Sequence, residues 1–273
     1  MKKMLRILLL LFFLAVFCFA AYKLLGTFFS YRQASGFYDE TVSSYVTFNA
    51  AEDDARSLPP EEVPQRIVTE DGRHTIYVQE DGKETAPIRI DFEALTETCA
   101  DTVGWIYSED TAINYPVVQA EDNDYYLHRM LDGSENSNGT IFMDYLCRAD
   151  LTSGNTLLYG HNMKDGSMFH SLVEYKEQKY YNKHPVLYYL TPEQNYRVDL
   201  FAGVTVAADA WPYVVEFGAE AEKTEFLQRA KAESTFEAPV EPTAEDRILS
   251  LSTCTYEFDN ARYIVMGILT PIE

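Results

Sequence analysis

Basic residues are scarce in this chain. Lys and Arg number 22 against 43 Asp and Glu, leaving a net charge of −21 over 273 residues. Binding to nucleic acid rests on clustered Lys and Arg set against phosphates, so the balance argues against nucleic-acid partners and reads as a solvated acidic surface. Cysteine is scarce too: Cys18, Cys99, Cys147 and Cys254 are all there is. No two form a CxxC pair and none stands beside histidine at metal-ligand spacing, so no zinc site is expected. Asp122-Asn-Asp124 opens like a calcium loop but lacks the glycine and distal glutamate that such a loop needs. We expect neither metal nor cofactor. Apolar residues are not lacking; at 47% they suffice for a full core.

Lys2, Lys3 and Arg6 precede a charge-free run from Ile7 to Tyr22, and after Lys23 the chain stays apolar to Phe29. A membrane-spanning helix needs about 20 mostly apolar residues, which Ile7–Phe29 supplies if Lys23 snorkels to the interface. Positive charge ahead of the span sets the amino terminus in the cytoplasm and the rest outside. Residues 1–29 are therefore expected to be a cytoplasmic tail and signal anchor. A signal peptide cleaved at Ala20-Ala21 is the rival, and a lipoprotein through Cys18 is weaker because the large Phe17 precedes it. Residues 30–88 read as an extracellular stalk or linker. Within them Tyr31–Arg56 reads as one or two helices of modest strength, and Ser57–Pro64 as a break, since consecutive prolines cannot continue a helix. Arg66–Thr69 and Arg73–Gln79 read as a hairpin turning at Glu70-Asp-Gly72.

Residues 89–273 carry the main domain. Asp91 can cap a helix whose apolar positions are Phe92, Leu95 and Cys99. Val103–Tyr107, Ile113–Gln119, Thr140–Tyr145 and Thr156–His161 read as strands, and Val186–Leu190 with Tyr196–Ala207 as a hairpin. Tyr125–Met130 reads as a short helix. Ser167 should start an amphipathic one with Phe169, Leu172, Val173 and Lys176 on one face. Trp211–Pro242 is a long insertion containing a helix at Glu222–Ala232, whose acidic start and basic end suit the dipole. A connection of that length is more often functional than filler. Many short strands with turns between them favour a closed or sandwich-like β architecture over a parallel α/β sheet. Cys99 and Cys147 read as buried thiols.

Cys254 is different. Ile248–Cys254 and Arg262–Ile268 both alternate with period two around a short polar loop. Paired antiparallel, they set Cys254 opposite Arg262, Ser252 opposite Ile264 and Ser250 opposite Met266, with Cβ atoms about 5 Å apart. A guanidinium cannot lose its proton, and a cation beside a thiol favours the nucleophilic thiolate. His161 ends an apolar strand on the same side as Leu157 and Tyr159, which exposes an imidazole at a sheet rim. A lone histidine so placed is more often structural, and only the fold brings it to Cys254. The residues alone point to a reactive-cysteine enzyme.

Tyr159-Gly-His-Asn-Met163 with Lys164-Asp-Gly-Ser-Met-Phe169 after it, and Leu251-Ser-Thr-Cys254 with Arg262, resemble the sortase transpeptidases, class B most closely. Val103–Tyr107, Ile113–Val118 and Asp122–His128 extend the likeness, which covers about residues 90–271. The resemblance implies a closed eight-stranded β-barrel with short helices, preceded by N-terminal helices and one transmembrane helix. It also implies a helix in the connection between the sixth and seventh strands. Cys254 would attack a threonine carbonyl within a sorting signal and form a thioacyl enzyme. His161 would be general acid and base, and Arg262 would stabilise the oxyanion or hold the substrate. Tyr159, Ser252 and Thr253 fall near the substrate groove, although Thr253 points the opposite way in an ideal strand.

The implied partners are surface proteins bearing a C-terminal sorting signal, NPQTN-like or related. The implied acceptor is a peptidoglycan cross-bridge amine or lipid II, with a pilin lysine as the lesser alternative. The interval from Cys254 to Arg262 is shorter than in some class B members, which leaves substrate preference open. Two rivals stand beside this reading: a cysteine hydrolase using water, and a non-catalytic surface-binding module.

Overall fold

No proline interrupts the chain before Pro59, and helix α1 runs unbroken from Lys2 to Tyr45 in this computed structural model, which describes residues 2–48, 64–69 and 75–273. Its apolar amino-terminal half is exposed, and the helix is long and apolar enough to cross a membrane. Of the one or two modest helices expected over 31–56, residues 31–45 are instead the second half of α1, residues 46–48 form a strand, and residues 49–56 lie outside the described residues. Ala34, Tyr38 and Thr41 recur at helical spacing and are buried. Tyr38 Oη donates to Gly139 C=O (2.6 Å), and Ser30 lies within hydrogen-bond reach of Asn136 and Ser137. The second half of α1 thus packs on the main domain through side chains whose spacing only the fold makes meaningful.

Strand β1 (Val46–Phe48) leaves α1 and pairs with β5 (Ile88–Ile90). Between them, β2 (Gln65–Val68), β3 (Thr75–Val78) and β4 (Glu84–Thr85) form a three-stranded antiparallel sheet. The expected hairpin is β2–β3; its turn at Glu70–Gly72, and all of the proline-rich stretch expected to end the helices at Ser57–Pro64 except Pro64 itself, lie outside the described residues. This small sheet is fastened to the main domain by Tyr77 Oη donating to Glu109 (2.6 Å) and by the ion pair of Glu84 with Arg197.

Helix α2 (Phe92–Thr98) starts where the Asp91 carboxylate accepts from the Ala94 N–H (3.0 Å), as its capping position requires. Eight strands follow: β6 (Thr102–Tyr107), β7 (Asn114–Val118), β8 (Ile141–Met143), β9 (Asn155–Tyr159), β10 (Val186–Leu190), β11 (Asn195–Ala207), β12 (Ile248–Cys254) and β13 (Ala261–Ile272). They close into a barrel in the order β10-β11-β13-β12-β9-β8-β7-β6, with β6 pairing back onto β10. Pairs β7–β8 and β9–β12 are parallel, and the rest are antiparallel. The closed eight-stranded architecture is the one expected. Alternation puts Val117, Ile141, Leu158, Leu251, Tyr263 and Val265 together in the interior cluster.

Three local expectations shift. The strand at 140–145 is only Ile141–Met143, because Asp144 leaves it to accept from the Leu146 N–H (2.9 Å). The helix expected from Ser167 is a 3-10 helix, His170–Lys176, followed by α3 (Gln178–Lys183). The short helix at 125–130 is a 3-10 turn over Tyr125–Leu127; Asp122, once a candidate calcium ligand, instead accepts from the N–H groups of Asp124 and Tyr125. Between β11 and β12 the insertion carries a 3-10 turn (Trp211–Tyr213) and α4 (Glu220–Ala232). Phe226, Leu227 and Ala230 of α4 cover Ile248, Ile264 and Met266 on the outside of the barrel.

Candidate active site

On β12 the alternation read from sequence separates two environments. Leu249 and Leu251 belong to the interior cluster, whereas Ile248 packs outside under α4, on the face shared by Ser250, Ser252 and Cys254. The β12–β13 register is Ser250↔Met266, Ser252↔Ile264 and Cys254↔Arg262, as the pattern requires. Cys254 is half-buried at the strand's end. Arg262 Nη1 donates to Ala261 C=O (3.0 Å), and among the described residues its guanidinium pairs with no carboxylate. An unneutralised cation in so acidic a chain is available to a developing negative charge.

His161 reaches this end of the barrel through the parallel pairing of β9 with β12, whose last register pair is Ser252↔Tyr159. Gly160 precedes it where a Cβ would collide with Ile141 and Phe169, so the close approach demands glycine. His161 Nε2 lies 2.7 Å from Leu127 C=O. A carbonyl only accepts, so Nε2 carries the proton and Nδ1 is the basic nitrogen of the neutral ring. The His128 ring stacks on it at 6.0 Å. Burial lowers the His161 pKa below its ordinary value, and His128 pushes the same way against the opposing Leu127 hydrogen bond. Among the described residues the Cys254 thiol makes no hydrogen bond to His161 or Arg262. The strand ends bring the three residues to one rim without a preformed ion-pair contact.

The other expected groove residues fall into two places. Ser252 Oγ is 3.0 Å from Tyr213 Oη, and Tyr159 Oη donates to Asp144 (2.8 Å) while its ring stacks on Tyr213 at 6.2 Å. Tyr159, Tyr213 and Ser252 thus form one wall beside Cys254. Thr253 is 2% exposed and its hydroxyl donates to Gly160 C=O (2.8 Å), on the side away from that wall.

Two members of the wall escaped the sequence reading. Tyr213 enters on the insertion; burial raises its pKa, while Ser252 and the Arg262 charge pull it down and the Cys254 charge adds to the rise, which places the phenol close to both residues. Asp144 is buried and accepts from Tyr159 and from Asn123 Nδ2 (3.0 Å). The long insertion was the one signal for Tyr213. Nothing in the sequence singled out Asp144.

A closed barrel that sets a half-buried thiol across from a guanidinium that no described carboxylate pairs, with an imidazole at the next strand end, has the arrangement of a cysteine acyl-transfer enzyme. The family model of the sortase domain matches residues 106–270. Sortase B of Listeria monocytogenes is 36% identical over 182 residues, which is 66% of this chain and 74% of that protein. A crystal structure of Staphylococcus aureus sortase B matches with a TM-score of 0.64 at 30% identity, covering 67% of this chain and 87% of that one. Sortase B of Bacillus anthracis, solved in complex with AAEK1, matches with a TM-score of 0.62 at 38% identity, over 67% and 85% of the two chains. This chain belongs to the sortase family, in class B, and is a cysteine transpeptidase.

Proposed function

We propose that Cys254, His161 and Arg262 carry the transpeptidation and that the substrate is a surface protein with an NPQTN-like or related sorting signal. The observation that carries this reading is the Cys254↔Arg262 register on the outer face of the barrel, with His161 at the end of the strand alongside. The Cys254 thiolate attacks the threonine carbonyl carbon, and Arg262 donates hydrogen bonds to the oxyanion that forms. As the intermediate collapses, the C–N bond breaks and protonated His161 gives its proton to the departing amine. An incoming amine then loses a proton to neutral His161 as it attacks the thioester, and Cys254 leaves as thiolate. The Nδ1 lone pair, free because Nε2–H is held by Leu127, suits both transfers. Tyr159 and Ser252 flank the signal peptide from the wall they share with Tyr213, while Thr253 supports the groove from behind, through its bond to Gly160 and without touching the peptide. The acceptor is an amine of the cell wall, as a peptidoglycan cross-bridge or its lipid II precursor.

The apolar half of α1 anchors the enzyme as a single-pass signal anchor, residues 1–29, with Lys2, Lys3 and Arg6 on the cytoplasmic side and the domain of residues 89–273 outside. Residues 30–88 join anchor and domain, with α1 and the β2–β4 sheet leaning on the barrel. The test uses the full chain in detergent micelles with quenched sorting peptides and added amines. Amine-dependent product that vanishes in Cys254→Ala supports the proposal. Cleavage indifferent to every amine makes the protein a hydrolase, and activity surviving in Cys254→Ala or His161→Ala sinks the assignment of the reacting pair.

A further inference from the structure

The parallel ladder of β9 and β12 stops one residue short of His161. Its last rung is the Gly160 N–H donating to Ser252 C=O (3.2 Å). Beyond that rung, side chains hold the two strands together. Thr253 Oγ1 donates to Gly160 C=O (2.8 Å), and Asn162 Nδ2 donates to Cys254 C=O (2.8 Å). Those carbonyls are the acceptors that a continuing parallel ladder would offer to the backbone N–H groups of residues 254 and 162. Two side chains therefore imitate the next rungs while the backbone turns away.

His161 sits between the two imitated rungs, each made by or to one of its chain neighbours. The orientation of the Asn162 amide follows from chemistry alone. A carbonyl cannot donate, so Nδ2 must face Cys254, and Oδ1 is left to accept from His170 Nδ1 (2.7 Å). His170 stands on the 3-10 helix after the loop, so a second element fixes the amide plane. Thr253 is 2% exposed, and its hydroxyl has Gly160 as its partner in place of water.

We infer that Asn162 and Thr253 are positioning residues, which clamp the His161 turn onto the strand that carries Cys254. This rests on reading Cys254 and His161 as the reacting pair. Neither side chain meets the substrate; both set the separation and angle between imidazole and thiol. With no hydrogen bond between thiol and imidazole to hold that geometry, the backbone on either side must hold it. The clamp permits His161 to leave the sheet and present its ring at the rim without the turn drifting.

Asn162→Ala, Thr253→Val and Thr253→Ser in the full chain, in detergent micelles with a quenched NPQTN peptide and triglycine, test the clamp. Thr253→Val keeps the shape and removes only the donor. We expect Asn162→Ala and Thr253→Val to lower kcat by about 10- to 100-fold, the scale of a misplacement near 1 Å, while KM stays within about twofold. Thr253→Ser should restore most of the lost kcat. Amide hydrogen exchange over residues 160–163, read without any substrate, should quicken by about tenfold or more in both disrupted variants. The clamp is refuted if kcat in Asn162→Ala and Thr253→Val stays near the parent value, or if Thr253→Ser recovers nothing. It is also refuted if the exchange rates do not move, or if the loss lies in KM. Should Asn162→Ala fail to fold, the Val and Ser pair at Thr253 decides. Failure of the catalytic reading itself shows differently, as parent activity that persists in Cys254→Ala.

Discussion

Two thiols sit about one barrel in opposite surroundings. Cys147 is 6% exposed, with its Sγ accepting from the Leu157 N–H (3.3 Å) and facing Asn155 C=O (3.8 Å). Burial pushes its pKa up to about 11, and the charges of Asp144 and Glu216 push the same way, against the Leu157 hydrogen bond. Cys254 is half-buried at a strand end and sits opposite Arg262 in the β12–β13 register. Both residues have the same intrinsic chemistry. On the proposed reading, position on the barrel decides which thiol is the nucleophile and which is packing.

The largest effects should come from removing each thiol in turn. Cys254→Ala should remove transpeptidation altogether. Cys147→Ala should leave turnover near the parent value and lower stability by about 1 kcal/mol, as a typical buried truncation does. Chemical denaturation beside steady-state turnover checks both halves. Equal losses of activity in the two variants would break the comparison.

The two arginines extend the contrast. Arg197 is held by Asp199 (2.9 Å) and by Glu84, whereas Arg262 pairs with no described carboxylate. Arg262→Ala should cost about 10²- to 10³-fold in kcat, the scale for removing an oxyanion donor. Arg262→Lys should recover only part, since a point charge lacks the planar fork. Arg197→Ala should instead leave kcat alone and cost about 3 kcal/mol of stability by stranding two partly buried carboxylates. A kcat loss confined to Arg197→Ala would reverse the assignment.

That contrast also marks what the sequence made legible. Cys254↔Arg262 was readable because two period-2 strands around a short loop leave one register, and a slip by one residue would turn Leu249 and Leu251 out of the core. The Asp91 cap and the β10–β11 hairpin were local in the same sense. Asp144 and Tyr213 were not legible, because their role comes from contacts between distant segments: Tyr159 to Asp144 across strands, and Tyr213 to Ser252 from the insertion. The docking of α1 was hidden for the same reason, since Ala34 and Tyr38 read as ordinary helix residues until Gly139 and Thr140 are beside them. Period two predicted the strands and a closed or sandwich-like architecture, the resemblance implied the barrel, and the parallel pairing that carries His161 toward Cys254 has no local signal.

A smaller effect should appear in labelling. In a Cys18→Ser background, iodoacetamide should modify Cys254 in the folded protein and spare Cys147 until denaturant opens the core. Mass spectrometry of the tryptic peptides reads it directly. Folded-state labelling of Cys147 at a comparable rate would show that burial does not silence it.

The smallest effect concerns the imidazole. Burial and the neighbouring His128 hold the His161 pKa below its ordinary 6.5, so the neutral ring dominates at pH 7 and the imidazolium that the proposed mechanism uses to protonate the leaving amine is a minority form. Titration of the His161 ring by NMR should therefore give a midpoint below that of an exposed histidine, and His128→Ala should move it upward by removing one opposing charge. The linkage has a definite sign. Because the folded state binds this proton less readily than the unfolded chain, His161 contributes stability above the unfolded pKa that is lost as pH falls through the folded one. The melting temperature of His161→Gln should then fall less steeply than the parent's on acidification from pH 7 toward pH 5. A parent midpoint at or above the ordinary histidine value, or identical slopes in the two proteins, would mean that burial and His128 do not govern the proton of this ring.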